Sequence, residues 1–320
     1  KAGLWERDID GQISLTESQW DEVLDLARKQ TVSGLVARGL EHLAEGSTEP
    51  SDSAYMRLAV ETDKCESRNM KMKHLQEKLF AGFEAQGLHP VQLKGQSVAR
   101  YYACPELRES GDIDVYFSAA EFDKAVPDDA SIASDGSAEY LRDGIVIEHH
   151  RQLLDISNPS KQEIIDRLID RYGFSDGTTS PELTILLLAS HILKHCLGRG
   201  IGLRQICDYA RAVAVLEFEK EELESAISSL GLSKWVSVLD SFCARYLGSE
   251  LEDRKPMLAE RLLKIVLAGG NFGQHSGRGE GAWNTFLSFF SNLGFSLRVA
   301  PVEAFWTVAG LAKGRMNKKA

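Results

Sequence analysis

Cysteine is scarce and scattered in this chain. Cys65, Cys104, Cys196, Cys207 and Cys243 include no C-x-x-C pair, and their number is odd. That argues against a disulfide framework or a zinc ribbon and fits a reducing compartment. Positive charge is in deficit: 37 lysines and arginines face 47 acids, for a net charge of −10. Neutralising phosphates supplies most nucleic-acid affinity, so long nucleic acid is a disfavoured partner. Long apolar runs are missing as well. The stretch LTILLLA at 183–189 is far short of the roughly 20 residues that a bilayer span needs. No secretory signal stands out. A cytoplasmic protein with no membrane partner is expected. At 320 residues the chain is long enough for a sizeable core.

Helical spacing dominates both ends. Thr16 and Gln19 fit a capping box, and Trp20, Val23, Leu24 and Ala27 follow at helical intervals. A second helical segment continues through Val32, Leu35, Val36, Leu40 and Leu43. A long helical segment then runs toward Gly87, with Leu75, Leu79, Phe80 and Phe83 as its apolar stripe. From residue 156 the period returns. Ser160 and Glu163 suggest another capping box, and Ser180-Pro181 opens a helix that ends near Gly198. A glycine-rich stretch, 269–281, reads as a mobile loop, and the basic tail KGRMNKKA reads as frayed.

Between these ends the pattern changes. HPVQLKG, from His89 to Gly95, reads as a strand, QSVARYYA as a helix start, and GDIDVYF as a second strand. Residues 138–153 hold two strand-like runs around Asp143-Gly144, the dipeptide favoured in a two-residue hairpin. The expected organisation is a helical region over 1–85, an α/β core over 86–155 and a helical region over 156–320. The fold class is α+β: a small mixed-sheet core embedded in a largely helical protein.

The chemistry concentrates in RESGDIDVYF, residues 108–117. In a strand, Asp112, Asp114 and Tyr116 share one face, and Ile113, Val115 and Phe117 take the other. In the hairpin strand, Val146, Glu148 and His150 share a face, with Ile145, Ile147 and His149 opposite. Carboxylates that close repel one another unless a cation lies between them. Three acids from neighbouring strands could hold two divalent cations, and hard oxygen ligands suit magnesium. The bland alternative is a solvated polar face on an edge strand.

The segments LKGQSVARYY, Arg108, GDIDVYF and IEHH together resemble the uncharacterised nucleotidyltransferases of bacteria, a branch of the DNA polymerase beta-like superfamily. The run LLLASHILKHCLGRGIGLRQICDYA at 186–210 and the GGNFG at 269–273 are similar to segments of the same family. The resemblance implies a magnesium-dependent transfer of a nucleoside monophosphate from a nucleoside triphosphate to an acceptor. It assigns Asp112, Asp114 and Glu148 to two Mg2+ ions, and Lys94, Gly95, Gln96, Arg108 and Gly111 to the nucleotide. The acceptor is expected to be a small molecule, a peptide or a protein side chain. Two departures stand out. Lys94-Gly95-Gln96 replaces the usual Gly-Ser or Gly-Gly, and the third acid is Glu rather than Asp.

Several residues also have plain readings. Lys94 is an ordinary strand-end lysine, and Arg108 could pair with Glu106 or Glu109. His149 and His150 could serve substrate binding or proton transfer, or could simply be packed. His191 and His195 share a helical face, but HILKH lacks the glutamate of H-E-x-x-H zinc sites, so a structural or substrate-side role is expected. Arg204 and Asp208, four apart, read as a helix pair. Two other function classes compete: a catalytically degenerate nucleotide-binding regulator and a metal-dependent phosphohydrolase.

Overall fold

The computed structural model describes residues 1–133, 135–198, 200–269 and 292–317. Beyond Gly269 the glycine-rich stretch lies outside them. Four helices open the chain: α1 (Ala2–Trp5), α2 (Glu17–Lys29), α3 (Ser33–Leu40) and α4 (Asp52–Glu84). Helix α2 starts on the expected capping box. The Thr16 side chain accepts from the Gln19 N–H, and the Gln19 side chain accepts from the Thr16 N–H. Helix α4 has 33 residues, so it is about 50 Å long at about 1.5 Å per residue. Its first half packs through Leu58 on Trp20 of α2 and Leu40 of α3. Its second half packs on the sheet through Met72, Leu75 and Phe83.

The sheet and its short helices follow: β1 (Val91–Gln92), α5 (Gln96–Ala99), β2 (Asp112–Tyr116), α6 (Ala119–Ala125), β3 (Ser131–Ile132), β4 (Ala138–Arg142) and β5 (Ile145–His150). The strand order is β3-β4-β5-β2-β1, and two further strands extend the β1 edge. Strand β2 runs antiparallel to β1 and parallel to β5. Strands β4 and β5 form the expected hairpin. Asp143 and Gly144 at its tip have φ values of 51° and 76°, the paired left-handed geometry of a type I′ turn.

The region after 156 is not helical throughout. Helix α7 (Gln162–Tyr172) leads into β6 (Phe174–Ser175) and β7 (Thr178–Thr179), which join the sheet with β7 parallel to β1. Their turn repeats the same dipeptide, Asp176-Gly177, with φ values of 49° and 66°. The capping box read at 160–163 does not form. Asn158 instead accepts from the Ser160 N–H and caps a short 3-10 turn, and α7 begins after it with no side-chain cap. Helices α8 (Pro181–Leu197), α9 (Leu203–Val215), α10 (Lys220–Leu230), α11 (Ser233–Phe242), α12 (Pro256–Gly269), α13 (Leu293–Val299) and α14 (Pro301–Asn317) complete the chain. The last of them carries helix into the basic tail that reads as frayed.

The two sheet faces have different partners. Ile113, Val115, Phe117, Ile145 and Ile147 join α4 and Phe122 of α6 in one core. A second, larger core centres on α8, which is buried continuously from Leu183 to Leu193. A helix apolar on all sides belongs inside a protein or a membrane. Here α9 and α11 pack against it, and the buried Trp235 indole donates to the Ala189 carbonyl at 2.8 Å. Among the described residues no helix is long and apolar enough to cross a membrane.

Candidate active site

Strand pairing brings the acids together. In the β2–β5 register Asp114 lies opposite Glu148, Asp112 opposite Val146 and Tyr116 opposite His150. All of these lie on the face away from Ile113 and Ile147, as the alternation predicts. Asp114 is buried at 3 % exposure. Its Oδ1 accepts from Lys94 Nζ at 3.0 Å and lies 2.7 Å from His150 Nε2. His150 Nε2 is also 3.7 Å from Glu148 Oε2.

The electrostatics are uneven. The charge of Asp114, with burial second, raises the Asp112 carboxyl above its ordinary range. Burial also pushes Asp114 up, but Lys94 and His150 outweigh it and hold Asp114 well below its ordinary value. Burial lowers the Lys94 ammonium, yet Asp114, Asp155, Glu148 and Asp112 together raise it. No ion pair forms at Asp112 among the described residues, whereas Asp114 meets the Lys94 ammonium and the His150 imidazole. Asp114, Glu148 and His150 each offer a ligand atom, all within 4.8 Å of one another. Clustered carboxylates, one of them pushed toward neutrality by another, suit a divalent cation.

Lys94 and Gly95 follow β1, whose extension is pinned where the Leu93 N–H donates to the Asp114 carbonyl at 3.2 Å. Gly95 has φ +65°, and a Cβ there would stand 3.3 Å from the Asp112 carbonyl oxygen. A side chain would therefore strain the turn and crowd β2. The helix after it, α5, is only four residues long. Gln96 donates to Asn69 Oδ1 at 3.1 Å. Asn69, buried on α4, donates in turn to the carbonyls of Glu106 at 2.7 Å and Arg108 at 2.8 Å. The neighbouring Arg68 donates to the carbonyls of Ser110 and Gly111, at 3.1 and 2.6 Å. Helix α4 thus fixes the loop that delivers Asp112. Gly111 itself is exposed, and nothing stands near the position of its missing side chain.

Arg108 does not pair with Glu106 or Glu109 side chains. Its guanidinium grips Asp208 of α9 at both oxygens, Nε–Oδ1 2.9 Å and Nη2–Oδ2 2.6 Å, and both residues are buried. The Tyr102 hydroxyl donates to the same Oδ1 at 2.7 Å. A cation bound to Asp208 thus comes from 100 residues away in the sequence. Arg204 donates to the Glu109 carbonyl at 2.6 Å.

The histidines separate. His149 points away from the acids into an aromatic cluster of Phe83, Phe117 and Tyr140, where its Nε2 meets the Tyr140 hydroxyl at 3.0 Å. Burial, then His150, pushes it down to about 4, so it is neutral at pH 7. His191 of α8 reaches the site's edge. Its Nδ1 lies 2.8 Å from Asp155 Oδ2 and 3.4 Å from Lys94 Nζ. Burial and Lys94 lower it to about 4 against the pull of Asp155. His195 stacks edge-on beside it, with ring centroids 4.4 Å apart.

Asp155 has no motif to announce it. It lies past the hairpin and gains its place from α8: Lys194 Nζ binds its Oδ1 at 2.8 Å, and Lys194 also reaches Asp135 at 3.0 Å. A polar chain therefore runs Asp114–Lys94–His191–Asp155–Lys194 from sheet to helix. Only tertiary structure joins these residues.

An acid cluster with flanking basic side chains is thus carried on the sheet of an α+β scaffold. The family model described as uncharacterised nucleotidyltransferase matches residues 16–248, and the chain belongs to that family. No curated protein and no solved structure matches the chain.

Proposed function

We propose that the protein transfers a nucleoside monophosphate from a nucleoside triphosphate to a small-molecule, peptide or protein acceptor, with divalent cations held by Asp112, Asp114 and Glu148. The carrying observation is the parallel β2–β5 register that sets Asp114 beside Glu148. When bound, the cations would neutralise phosphate charge and favour the attacking oxygen. The chain's own part is positioning and electrostatics. Lys94 keeps its positive charge at the acid cluster. Gly95 and Gln96 line the turn beside the Asp112 backbone. The Gly111 carbonyl is tied to Arg68, which aims the approach to β2. Arg108, bound to Asp208, acts in this scheme by holding that approach rather than by meeting phosphate directly. His191, fixed by Asp155, borders the acceptor side.

One observation favours a second reading. Asp114 already pairs with the Lys94 ammonium and is hydrogen-bond partner to His150, so its charge is compensated without a metal. A nucleotide-binding regulator without transfer chemistry could use such a site. Calorimetric titration of ATP, GTP, CTP and UTP with magnesium separates the two. The transferase reading expects magnesium-dependent binding of one triphosphate, weakened in Asp112→Asn. Binding that ignores both magnesium and the substitution favours the regulator. Absence of any binding to folded protein counts against both.

A further inference from the structure

We infer that His150 is itself a metal-ligating residue, which makes this a mixed nitrogen and oxygen site that prefers manganese(II) to magnesium. The inference rests on the nucleotidyl-transfer reading and concerns the same acid cluster. It begins with the strand. Glu148 and His150 are two residues apart on β5 and therefore share its face. Glu148 stands directly across from Asp114, and His150 stands one pleat further on, across from Tyr116.

The His150 ring nevertheless turns back toward the acids. Its Nε2 lies 2.7 Å from Asp114 Oδ1 and 3.7 Å from Glu148 Oε2. One imidazole nitrogen thus faces two carboxylates from two strands. These spacings are those of ligands around one ion. With bonds of about 2.1 Å, two ligands lie about 3 Å apart at right angles and about 4.2 Å apart when opposed. The 3.7 Å separation falls within that range, the 2.7 Å hydrogen-bonded contact needs to open by only about 0.3 Å to reach it, and all three donor atoms fit within 4.8 Å. A set drawn from one side leaves the remaining coordination positions open to phosphate and acceptor oxygens.

The chemistry of the donors then selects the ion. Magnesium favours oxygen ligands and holds its water tightly, whereas an imidazole nitrogen suits the transition metals. Two carboxylates with one imidazole suit manganese(II) at the hard end of that series. Lys94 complements this arrangement. It approaches the same Asp114 oxygen at 3.0 Å and balances part of the cluster's charge from the α8 side.

The test is electron paramagnetic resonance of Mn2+ titrated into the full chain, with pulsed detection of nitrogen-14 coupling. Mg2+ competition gives the preference between the two ions. Wild type is expected to bind Mn2+ more tightly than Mg2+ and to show coupling to one imidazole nitrogen. His150→Gln is expected to lose the coupling and about tenfold or more in Mn2+ affinity, since loss of even an outer-shell partner costs about 10–100-fold. His150→Asp restores a ligand atom and is expected to bind Mn2+ again without nitrogen coupling. Circular dichroism confirms that each variant is folded. Mn2+ bound to wild type without nitrogen coupling, or coupling that persists in His150→Gln, overturns the inference and leaves the carboxylate reading standing. Failure of folded wild type to bind Mn2+ overturns both.

Discussion

Asp112 and Asp114 are two residues apart, yet their charges are supported very differently. Asp114 leans on Lys94 and His150, whereas Asp112 faces the charge of Asp114 and is raised by it. The same substitution should therefore have opposite effects on stability. Asp112→Asn removes an opposed charge. In metal-free buffer it should raise the melting temperature by about 1–2 °C for each kcal/mol of relieved repulsion, while abolishing turnover. Asp114→Asn removes the nearest counter-charge of the buried Lys94 and should lower the melting temperature as well as abolish turnover. Thermal melts in chelator, set beside a transfer assay, check both. Turnover that survives in either variant would remove the acids from the mechanism. At this scale the sequence was informative about side-chain direction, because strand alternation is local. It placed Asp112 and Asp114 on one face of their strand, and Glu148 with His150 opposite His149 on the hairpin strand; the β2–β5 register then joins the two faces. It was silent on Lys94 meeting Asp114 and on Asp155, since those distances arise only when β1, β5 and α8 pack.

Among the elements, turns were the most legible and interior ion pairs the least. Asp143-Gly144 marked the β4–β5 hairpin because both residues must take positive φ. Asp176-Gly177 carried the same signal. It went unread because the strands beside it are two residues long and leave no alternation to see. At 158–163, two capping signals competed, and Asn158 prevailed by closing a 3-10 turn ahead of α7. The link from the β2 approach to α9 had no local trace at all. Arg108 and Asp208 are both buried and joined by two hydrogen bonds. Removing one partner leaves a buried charge exposed to its desolvation cost. Arg108→Met should cost about 3–5 kcal/mol, and the double variant Arg108→Met/Asp208→Leu should recover much of that loss. Urea unfolding of the two variants measures the difference. Equal destabilisation in both would mean that packing, not charge, makes the link.

The whole molecule is an α+β fold in which the acid-bearing sheet lies between α4 on one face and the α8-centred core on the other. Composition and periodicity carried that class. They did not show that the sheet recruits β6 and β7 from beyond residue 156. The global balance of stability also includes groups far from the acids. Asp240 on α11 accepts from the Tyr209 hydroxyl at 2.9 Å, but burial pushes its pKa up to about 6. The folded state therefore holds this proton more tightly than the unfolded chain does. Between about pH 4 and 6 that term favours folding at the acid end and fades as pH rises. Asp240→Asn keeps an acceptor for Tyr209 and removes the buried charge. It should stabilise the protein at pH 7 by up to roughly 2 kcal/mol and flatten this part of the pH profile. Denaturant midpoints at pH 4.5 and 7 provide the check. An equal effect at both would show that Asp240 titrates normally.

Helix α4 also constrains how such a chain can change in length. Asn69, which holds the loop before Asp112, shares α4 with Met72, Leu75 and Phe83, which seat it on the sheet. One residue inserted between Asn69 and Met72 would turn the two parts about 100° out of phase, because a helix takes about 3.6 residues per turn. A four-residue insertion would nearly restore the phase but move Asn69 about 6 Å along the axis. Either change would release the loop or lift the helix from the core. Insertions and deletions are therefore barred from 69 to 83, whereas the polar loop at 45–51 can absorb them without touching the acids.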